Sequence, residues 1–223
     1  MKLIIPDQIT GELAYETGLH IGDGSMNYYS GHGLYSLRGD KIKDRLFFEQ
    51  IVKPLYNRLY NADVHLREWT DVFGFQIAST ELVDFKKKLG LPLGPKNEVK
   101  IPALIMADNS LSLSCLRGLF ETDGNFYLEP KNRKLYPRLE FSTTSKILSE
   151  QVCNILANNI LPFSVWKRDY TNGWKTIYRV CIRGFPNLNR WLDLVGLNHP
   201  FMLQKLRILD NQQDFKYSQN YFF

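Results

Sequence analysis

Two segments, residues 11–22 and 111–122, carry apolar and small residues at helical spacing, and each leads into an Asp-Gly pair. Their length and apolar spacing predict two helices, with Gly24 and Gly124 leaving them at positive φ. A four-residue spacing places small side chains in one row along a helix, where two backbones can approach closely. We therefore predict that the helices pack along two such rows. The rows are Ala14, Gly18 and Gly22 in the first helix, and Ser114, Gly118 and Thr122 in the second.

Strand-like alternation and turn residues follow each of these helices, and further amphipathic segments follow the strands. The order predicted for each half is α-β-β-α-β-β-α. Strand pairs are predicted within residues 26–39, 64–79, 126–144 and 163–184. The later helices are predicted at about residues 44–60, 81–89, 145–159 and 187–195.

The chain is internally duplicated. An offset of 100 residues superimposes GLHIGDGS, from Gly18, on GLFETDGN, from Gly118, and offsets of 101 and 106 align later segments. Such a drift is what short loop insertions produce, and one internal repeat predicts two similar halves related by a pseudo-twofold axis. We place the first repeat at residues 1–105 and the second at residues 106–223. The predicted class is α+β: two pseudo-symmetric α-β-β-α-β-β-α repeats whose hairpins form a curved antiparallel surface with helices behind it.

Composition argues for a compact protein inside the cell. The 223 residues are 44% hydrophobic and 13% aromatic, which argues against disorder. No apolar run approaches the ~20 residues of a membrane span, and the first residues turn polar too soon for a signal peptide. Three cysteines without CxxC spacing are expected to be buried thiols rather than disulfides or zinc ligands.

The net charge of +5 is unevenly distributed. Residues 1–110 contain 13 Lys and Arg against 14 Asp and Glu, whereas residues 111–223 contain 15 against 9. The second half is therefore strongly basic, which suggests a polyanionic partner. Many basic proteins bind no nucleic acid, so this signal needs the support of a site.

The predicted helix pair brings two acids, Asp23 and Asp123, to the same end of the pair. Helix C-termini disfavour negative charge and neighbouring carboxylates repel each other, so a divalent cation would resolve both problems. The carbonyl oxygens of Gly22 and Thr122 are unpaired helix-end acceptors that could complete an oxygen-rich Mg²⁺ site. A single Asp-Gly after a helix is usually an ordinary turn. Two in register, each after a close-packing helix, favour a metal site.

The two segments ETGLHIGDG, residues 16–24, and LRGLFETDG, residues 116–124, resemble the paired motifs of LAGLIDADG homing endonucleases of the single-chain, two-repeat type. The motif alone is degenerate, but two copies at this spacing are specific. His20 and Glu121 vary within the motifs, although neither occupies the acid position. The resemblance covers nearly the whole chain and implies a saddle-shaped sheet over the DNA major groove, with the paired helix ends at the central minor groove.

The resemblance implies a site-specific, metal-dependent endonuclease that cuts double-stranded DNA at a long asymmetric target and serves intron homing. Mg²⁺, or another divalent cation such as Mn²⁺, would assist phosphodiester hydrolysis, with Asp23 and Asp123 each serving one strand. Lys96 and Lys205 are further catalytic candidates by position, although each could equally be a solvated surface charge. We expect a monomer with no obligate protein partner and no membrane association.

Two alternatives remain open. A nucleic-acid-binding relative that has lost cutting, such as an intron-splicing maturase or a regulator, could share the scaffold. An unrelated structural protein would leave the two acids without a purpose.

Basic strand residues interleaved with aromatic residues are candidates for DNA contacts, because Arg and Lys suit guanine edges and phosphates. Only one face of an antiparallel sheet can meet DNA, so about half of them should be contacts. The candidates are Arg38, Arg67, Lys131, Arg133, Lys134, Arg138, Lys167, Arg168, Lys175, Arg179 and Arg183.

Overall fold

The first repeat follows the predicted order of elements. The computed structural model describes residues 3–171 and 173–210 of the chain. The elements of the first repeat are α1 (Gly11–Asp23), β1 (Gly24–Tyr29), β2 (His32–Asp40), α2 (Arg45–Phe47), a π-helical turn (Phe48–Val52), α3 (Lys53–Tyr60), β3 (Arg67–Glu68), β4 (Val72–Ala78) and α4 (Thr80–Leu89).

The second repeat has the same order, with one additional helix before it and one after it. Sequence periodicity did not predict these two helices, α5 and α9. The elements are α5 (Ala103–Met106), α6 (Asn109–Asp123), β5 (Gly124–Lys131), β6 (Lys134–Thr143), α7 (Lys146–Asn158), β7 (Ser164–Arg168), β8 (Ile177–Arg183), α8 (Phe185–Leu194) and α9 (Pro200–Asp210).

The strands form two four-stranded antiparallel sheets of identical topology, β1-β2-β4-β3 and β5-β6-β8-β7. Met26 lies opposite Tyr35 in the first hairpin, and Phe126 lies opposite Leu139 in the second. All four side chains are buried on the helix side of their sheets. The predicted α+β class with two matching repeats is confirmed. The strands form two separate sheets instead of the single predicted surface, each hydrogen-bonded within its own repeat in the described part of the chain.

The pair of α1 and α6 lies at the centre of the molecule, as the small-residue rows predict. A Cβ added to Gly18 would lie 2.1 Å from the carbonyl oxygen of Cys115, and one added to Gly118 would lie 2.1 Å from that of Tyr15. No side chain larger than hydrogen fits at that separation. Each glycine therefore admits the backbone of the opposite helix.

The backbone angles of Gly24 and Gly124 differ from the positive φ that the sequence analysis predicted. Their φ angles are −75° and −85°, in the extended region, and not positive. A Cβ at Gly24 would meet backbone atoms of His20, and one at Gly124 would lie 2.3 Å from the carbonyl oxygen of Phe120. Glycine is required here because the strand turns sharply back over the helix end, and not because of its φ.

The segment before α6 is attached to the second repeat. Ser145 Oγ donates to the carbonyl of Val99 at 2.7 Å, and the side-chain amide of Gln151 exchanges two hydrogen bonds with the backbone of Ile101. The boundary after residue 105 stays a prediction. No helix in the described residues is both long enough and apolar enough to cross a membrane.

Candidate metal centre and nucleic-acid interface

The acid pair forms because α1 and α6 end at the same level. A Cβ built on Gly22 would lie 3.4 Å from the carboxyl carbon of Asp123, so this carboxyl group reaches across to the end of α1. Burial raises the pKa of Asp23 to about 8, and the negative charges of Asp123 and Asp44 add to the effect. Asp123 is the more exposed of the two, yet desolvation raises its pKa as well. The structure therefore holds two carboxylates where each favours a nearby cation.

Lys96 supplies a positive charge at this place. Its Nζ donates to the carbonyl oxygens of Ile21 at 2.8 Å and His20 at 3.3 Å, and also to that of Gly22. Burial lowers the pKa of Lys96, while the charges of Asp123 and Asp23 act in the opposite direction. The lysine predicted from the LGPK segment thus caps the C-terminus of α1, where a cation interacts favourably with the helix dipole.

The two predicted carbonyl ligands are not equivalent. The Gly22 carbonyl already accepts a hydrogen bond from Lys96, so Lys96 must shift before a metal ion can use that lone-pair direction. The hydroxyl of Thr122 donates back to the carbonyls of Gly118 and Leu119 within its own helix, at 3.0 Å and 3.1 Å. The role of the Thr122 carbonyl stays a prediction.

Lys205 does not join the acid pair through any of its described contacts, which corrects the expectation from its position. Its Nζ donates to the carbonyl of Phe126 at 2.6 Å. Burial and the neighbouring Lys43 lower its pKa, and neither acid contributes. The reason is that α9, a helix that sequence periodicity did not predict, carries Lys205 along β5. Lysine at this place stabilises the strand that follows Asp123.

A third carboxylate, Asp44, was missed by the sequence analysis. Its charge raises the pKa of Asp23, so it lies within electrostatic reach of the acid pair. The backbone N–H of Phe201 donates to Nδ1 of His199, and His199 Nε2 therefore donates to Asp44 at 3.0 Å. One sequence feature does single out Asp44: the 101-residue offset between the repeats aligns it with Ser145, the N-cap of α7.

The two residues that depart from the motif, His20 and Glu121, are buried in the core. His20 stacks on Tyr35 with ring centroids 5.5 Å apart, and burial lowers its pKa, so the ring is neutral. Glu121 is buried and accepts hydrogen bonds from the Tyr15 hydroxyl and the backbone N–H of Asn198. These residues depart from the motif without approaching the metal-binding acid positions.

The strand register shows which of the candidate DNA contacts lie on the open faces of the two sheets. Partners in an antiparallel pair share a face, and Phe126, Leu139 and Val180 define the helix side of the second sheet. Lys167 pairs with Tyr178 on that side and forms an ion pair with Asp169 at 2.9 Å, so it lies away from the predicted DNA face. Arg133 lies in the turn between β5 and β6, and Lys175 lies in the connection between β7 and β8. The residues on the open faces are Arg38, Arg67, Lys131, Lys134, Arg138, Arg168, Arg179 and Arg183.

Most of these side chains are held by neighbours. In the first repeat, Arg38 and Arg67 lie over the ring of Trp69, at 4.2 Å and 4.5 Å. In the second, the guanidinium of Arg138 bonds to both Glu129 and Glu140. The two faces therefore present oriented cations rather than a diffuse positive field.

Comparison with known proteins identifies this architecture. Residues 110–196 match the model of the LAGLIDADG-like domain. The structure of I-DmoI in complex with DNA and Mn has a TM-score of 0.62 and 18% sequence identity, over 85% of this chain and 98% of that one. The homing endonuclease I-WcaI, bound to its DNA recognition sequence, has a TM-score of 0.58 and 16% identity, over 88% and 85%. The resemblance predicted from the two motifs is confirmed.

A curated relative is also similar in sequence. The replication factor C small subunit of Methanocaldococcus jannaschii is 28% identical over 195 residues, which is 87% of this chain and 10% of that protein. The chain thus spans about a tenth of the length of the curated relative that it matches.

Proposed function

We propose that this chain, a two-repeat LAGLIDADG protein, is a site-specific endonuclease that cuts double-stranded DNA with the help of a divalent cation. The observation that carries the proposal is the Asp23 and Asp123 pair at the end of two helices in backbone contact. DNA would lie across the two open sheet faces, with its central base pairs over the acids. Intron homing, a long asymmetric target and an intracellular location belong to the same proposal.

The acid pair fits a divalent cation, because each carboxylate is partly desolvated and repelled by its neighbour. Among residues 3–171 and 173–210, no three His, Cys, Asp or Glu side chains converge on one point. The remaining oxygen ligands must therefore come from backbone, water or DNA phosphates. Bound Mg²⁺ or Mn²⁺ would neutralise charge on the scissile phosphate and make water a stronger nucleophile.

The residues of the chain have separate tasks in this mechanism. Asp23 and Asp123 hold the cations, and each serves one strand of the duplex. Lys96 holds the end of α1 and places a positive charge beside both acids, where it would help to neutralise a scissile phosphate. Asp44, oriented by His199, adds negative charge on the side of Asp23 alone. The two halves of the centre are therefore electrostatically unequal.

The test uses a randomised duplex DNA library with Mg²⁺, and with EDTA as the metal-free control. The wild type should release cut duplexes only with the metal. Asp23→Asn and Asp123→Asn should each abolish double-strand cutting while DNA binding in Ca²⁺ persists. Asp63→Asn, at an exposed carboxylate paired with Lys53, is the matched control and should cut normally. Full cutting by both motif variants would overturn the assignment.

The alternative is a nucleic-acid-binding relative that does not cut. The placement of Lys96 favours it, because its ammonium group already donates a hydrogen bond to the Gly22 carbonyl, which was predicted as a metal ligand. Selective DNA binding by the wild type without any cutting in Mg²⁺ or Mn²⁺ would favour this alternative.

A monomer is expected, since both acids lie in one chain and α1 packs on α6 internally. Sedimentation should give a mass near 26.0 kDa for the protein, with one copy on an uncut DNA target. A mass near twice that value on DNA would contradict the expectation.

A further inference from the structure

The open face of the second sheet contains a buried carboxylate, Glu140, that the proposed mechanism does not use. Glu140 lies on β6, and its residue is only 6% exposed although it is on the face that would meet DNA. Its Oε2 accepts from Nε of Arg138 at 3.0 Å, and its Oε1 lies 3.0 Å from Nε of Arg179. A carboxylate this covered cannot reach a base, so its effect must pass through the two arginines.

The two arginines differ in which guanidinium nitrogens remain available for a hydrogen bond to DNA. Arg138 has one edge of its guanidinium on Glu140 and another nitrogen on Glu129, and it lies over the ring of Tyr127 at 4.8 Å. Its side chain is 19% exposed. Arg179 has a side chain that is 39% exposed, and its Nε forms an ion pair with Glu140. Within the described chain, no hydrogen bond engages its two outer nitrogens.

A guanidinium whose Nε side is paired with a carboxylate, and whose outer nitrogens make no hydrogen bond in the described chain, suits guanine. Two parallel N–H donors match the O6 and N7 acceptors in the major groove, provided that the fork is already oriented. Trp166, the cross-strand partner of Arg179, is 53% exposed on the same face of the sheet. The carboxylate therefore removes rotamer freedom that binding would otherwise have to remove.

The register also locates this contact. Arg179 lies opposite Ser142 on β6, and Ser142 lines the same crevice as Asp123 and Gly22. Lys131 and Lys134 lie at the far end of the β5–β6 hairpin. A base read by Arg179 must accordingly lie in the inner part of the half-site under the second repeat, nearer the acids than the positions that the hairpin tip can reach.

We infer that Arg179, oriented by Glu140, determines a guanine at one inner position of the second half-site, and that Arg138 reads no base. This inference rests on the proposed function, since it requires a sequence-specific DNA target. Glu140 acts as a positioning residue in it. The first repeat has Ser36 and Gly74 at the corresponding register positions and cannot make the same contact.

The experiment selects preferred sequences from the randomised duplex library by binding in Ca²⁺, so that cutting is not needed. The wild type should show a strong guanine at one inner position of one half-site. Arg179→Ala and Arg179→Lys should reduce that preference about 5- to 150-fold, the range expected for loss of one bidentate contact, and leave the other positions unchanged. Arg138→Gln is the comparison variant and should preserve every base preference outside the guanine position, where the loss of its bonds to Glu140 is felt through Arg179.

Glu140→Gln separates positioning from simple support of the fold. The variant should weaken the guanine preference severalfold, while affinity for unselected duplex stays equal or rises because a negative charge has left the DNA face. Unchanged preferences in both Arg179 variants, or relaxation at another position in Arg138→Gln, would overturn the inference while leaving the endonuclease proposal standing. A wild type that selects no sequence would overturn both.

Discussion

The two repeats have the same sheet topology but differ in the side chains that they bury. In the first, Glu16 lies fully buried against Lys86, with Nζ to carboxylate distances of 2.6 Å and 2.7 Å. The hydroxyls of Tyr56 and Tyr60 donate to the same carboxylate. In the second repeat, the positions of Glu16, Lys86 and Tyr60 carry Leu116, Leu192 and Leu161, all buried, and the position of Tyr56 carries Ala157.

This difference shows which features the fold depends on. The glycine contacts between α1 and α6 and the strand register recur in both repeats. The core behind each sheet can be an ion pair surrounded by tyrosines or a set of leucines. Replacing a buried ion pair by well-packed apolar residues is often neutral or stabilising, whereas removing one partner is costly. The free energy of unfolding should therefore fall by different amounts when the same class of change is made in the two halves.

The largest effect is expected where the repeats are alike. Gly18→Ala and Gly118→Ala would each place a methyl group 2.1 Å from a backbone oxygen of the opposite helix. Neither backbone can move away without breaking the other contact, so each change should reduce the free energy of unfolding by more than about 3 kcal/mol, measured by urea denaturation. Gly11→Ala, in the same helix, meets only Ser114 Oγ at 3.5 Å and should be neutral or stabilising. Unequal losses at Gly18 and Gly118 would contradict the symmetry of the pair.

The second largest effect on the free energy of unfolding should appear in the first repeat only. Lys86→Met leaves the Glu16 carboxylate buried without its cation and should reduce the free energy of unfolding by about 3–5 kcal/mol. Adding Glu16→Gln removes the stranded charge and should restore part of that loss in a double-mutant cycle. In the second repeat, Leu192→Met at the position of Lys86 should cost less than about 1.5 kcal/mol. A double variant no more stable than Lys86→Met alone would show that the tyrosines, rather than the ammonium, hold Glu16.

The acid pair predicts a pH dependence that separates the two helix ends. The folded-state pKa of Asp23 is about 8 against an ordinary value of 3.8, so the folded protein holds this proton more tightly than the unfolded chain. The stabilisation is complete below the ordinary pKa and is lost as the pH rises through about 8. In EDTA, Tm should fall from about pH 4 to about pH 8, by ~2–4 °C for each kcal/mol lost.

The controls for this pH dependence are substitutions of the two motif acids. Asp23→Asn should flatten the profile more than Asp123→Asn, because Asp23 is the residue on which both other acids act. Mg²⁺ should raise Tm most at high pH, where the carboxylates are charged. A profile that both substitutions leave unchanged would show that the pair does not titrate in this range.

Much of this organisation could be predicted from the sequence, because it depends on local patterns. The helix rows at Gly18 and Gly118, the two hairpins of each repeat and the pairing of Asp23 with Asp123 follow from spacing and duplication. The positive φ expected at Gly24 was wrong, because glycine is required there by a contact with the preceding helix turn and not by its own backbone angles.

Features that depend on contacts between distant segments could not be predicted in the same way. Asp44 is oriented by His199, which lies 155 residues away in sequence. Lys205 belongs to α9, whose packing along β5 has no counterpart in the periodicity of the first repeat. Lys167 was ranked with the DNA contacts because alternation cannot fix which face of a strand is open until the register is known.

The smallest expected effect concerns the charge difference between the two open faces. Lys131 and Lys134 end the hairpin on the open face of the second sheet, whereas Lys167 faces the other side and is paired with Asp169. Each phosphate contact adds about 0.9 to the slope of log K against log salt. Lys131→Gln combined with Lys134→Gln should therefore flatten the slope by up to ~2 units, measured by fluorescence anisotropy on the selected target.

Lys167→Gln is the matched control in this experiment. It removes the same charge from the same repeat, so the net charge of the second half falls equally for each lysine replaced. If the orientation of the sheet face controls binding, Lys167→Gln should leave the salt slope unchanged within about 0.3 units, while each hairpin lysine contributes close to one. An equal decrease for all three would show that the overall charge of residues 111–223, rather than the register of the strands, sets the affinity. Footprints at rising salt should then release both half-sites together instead of the first before the second.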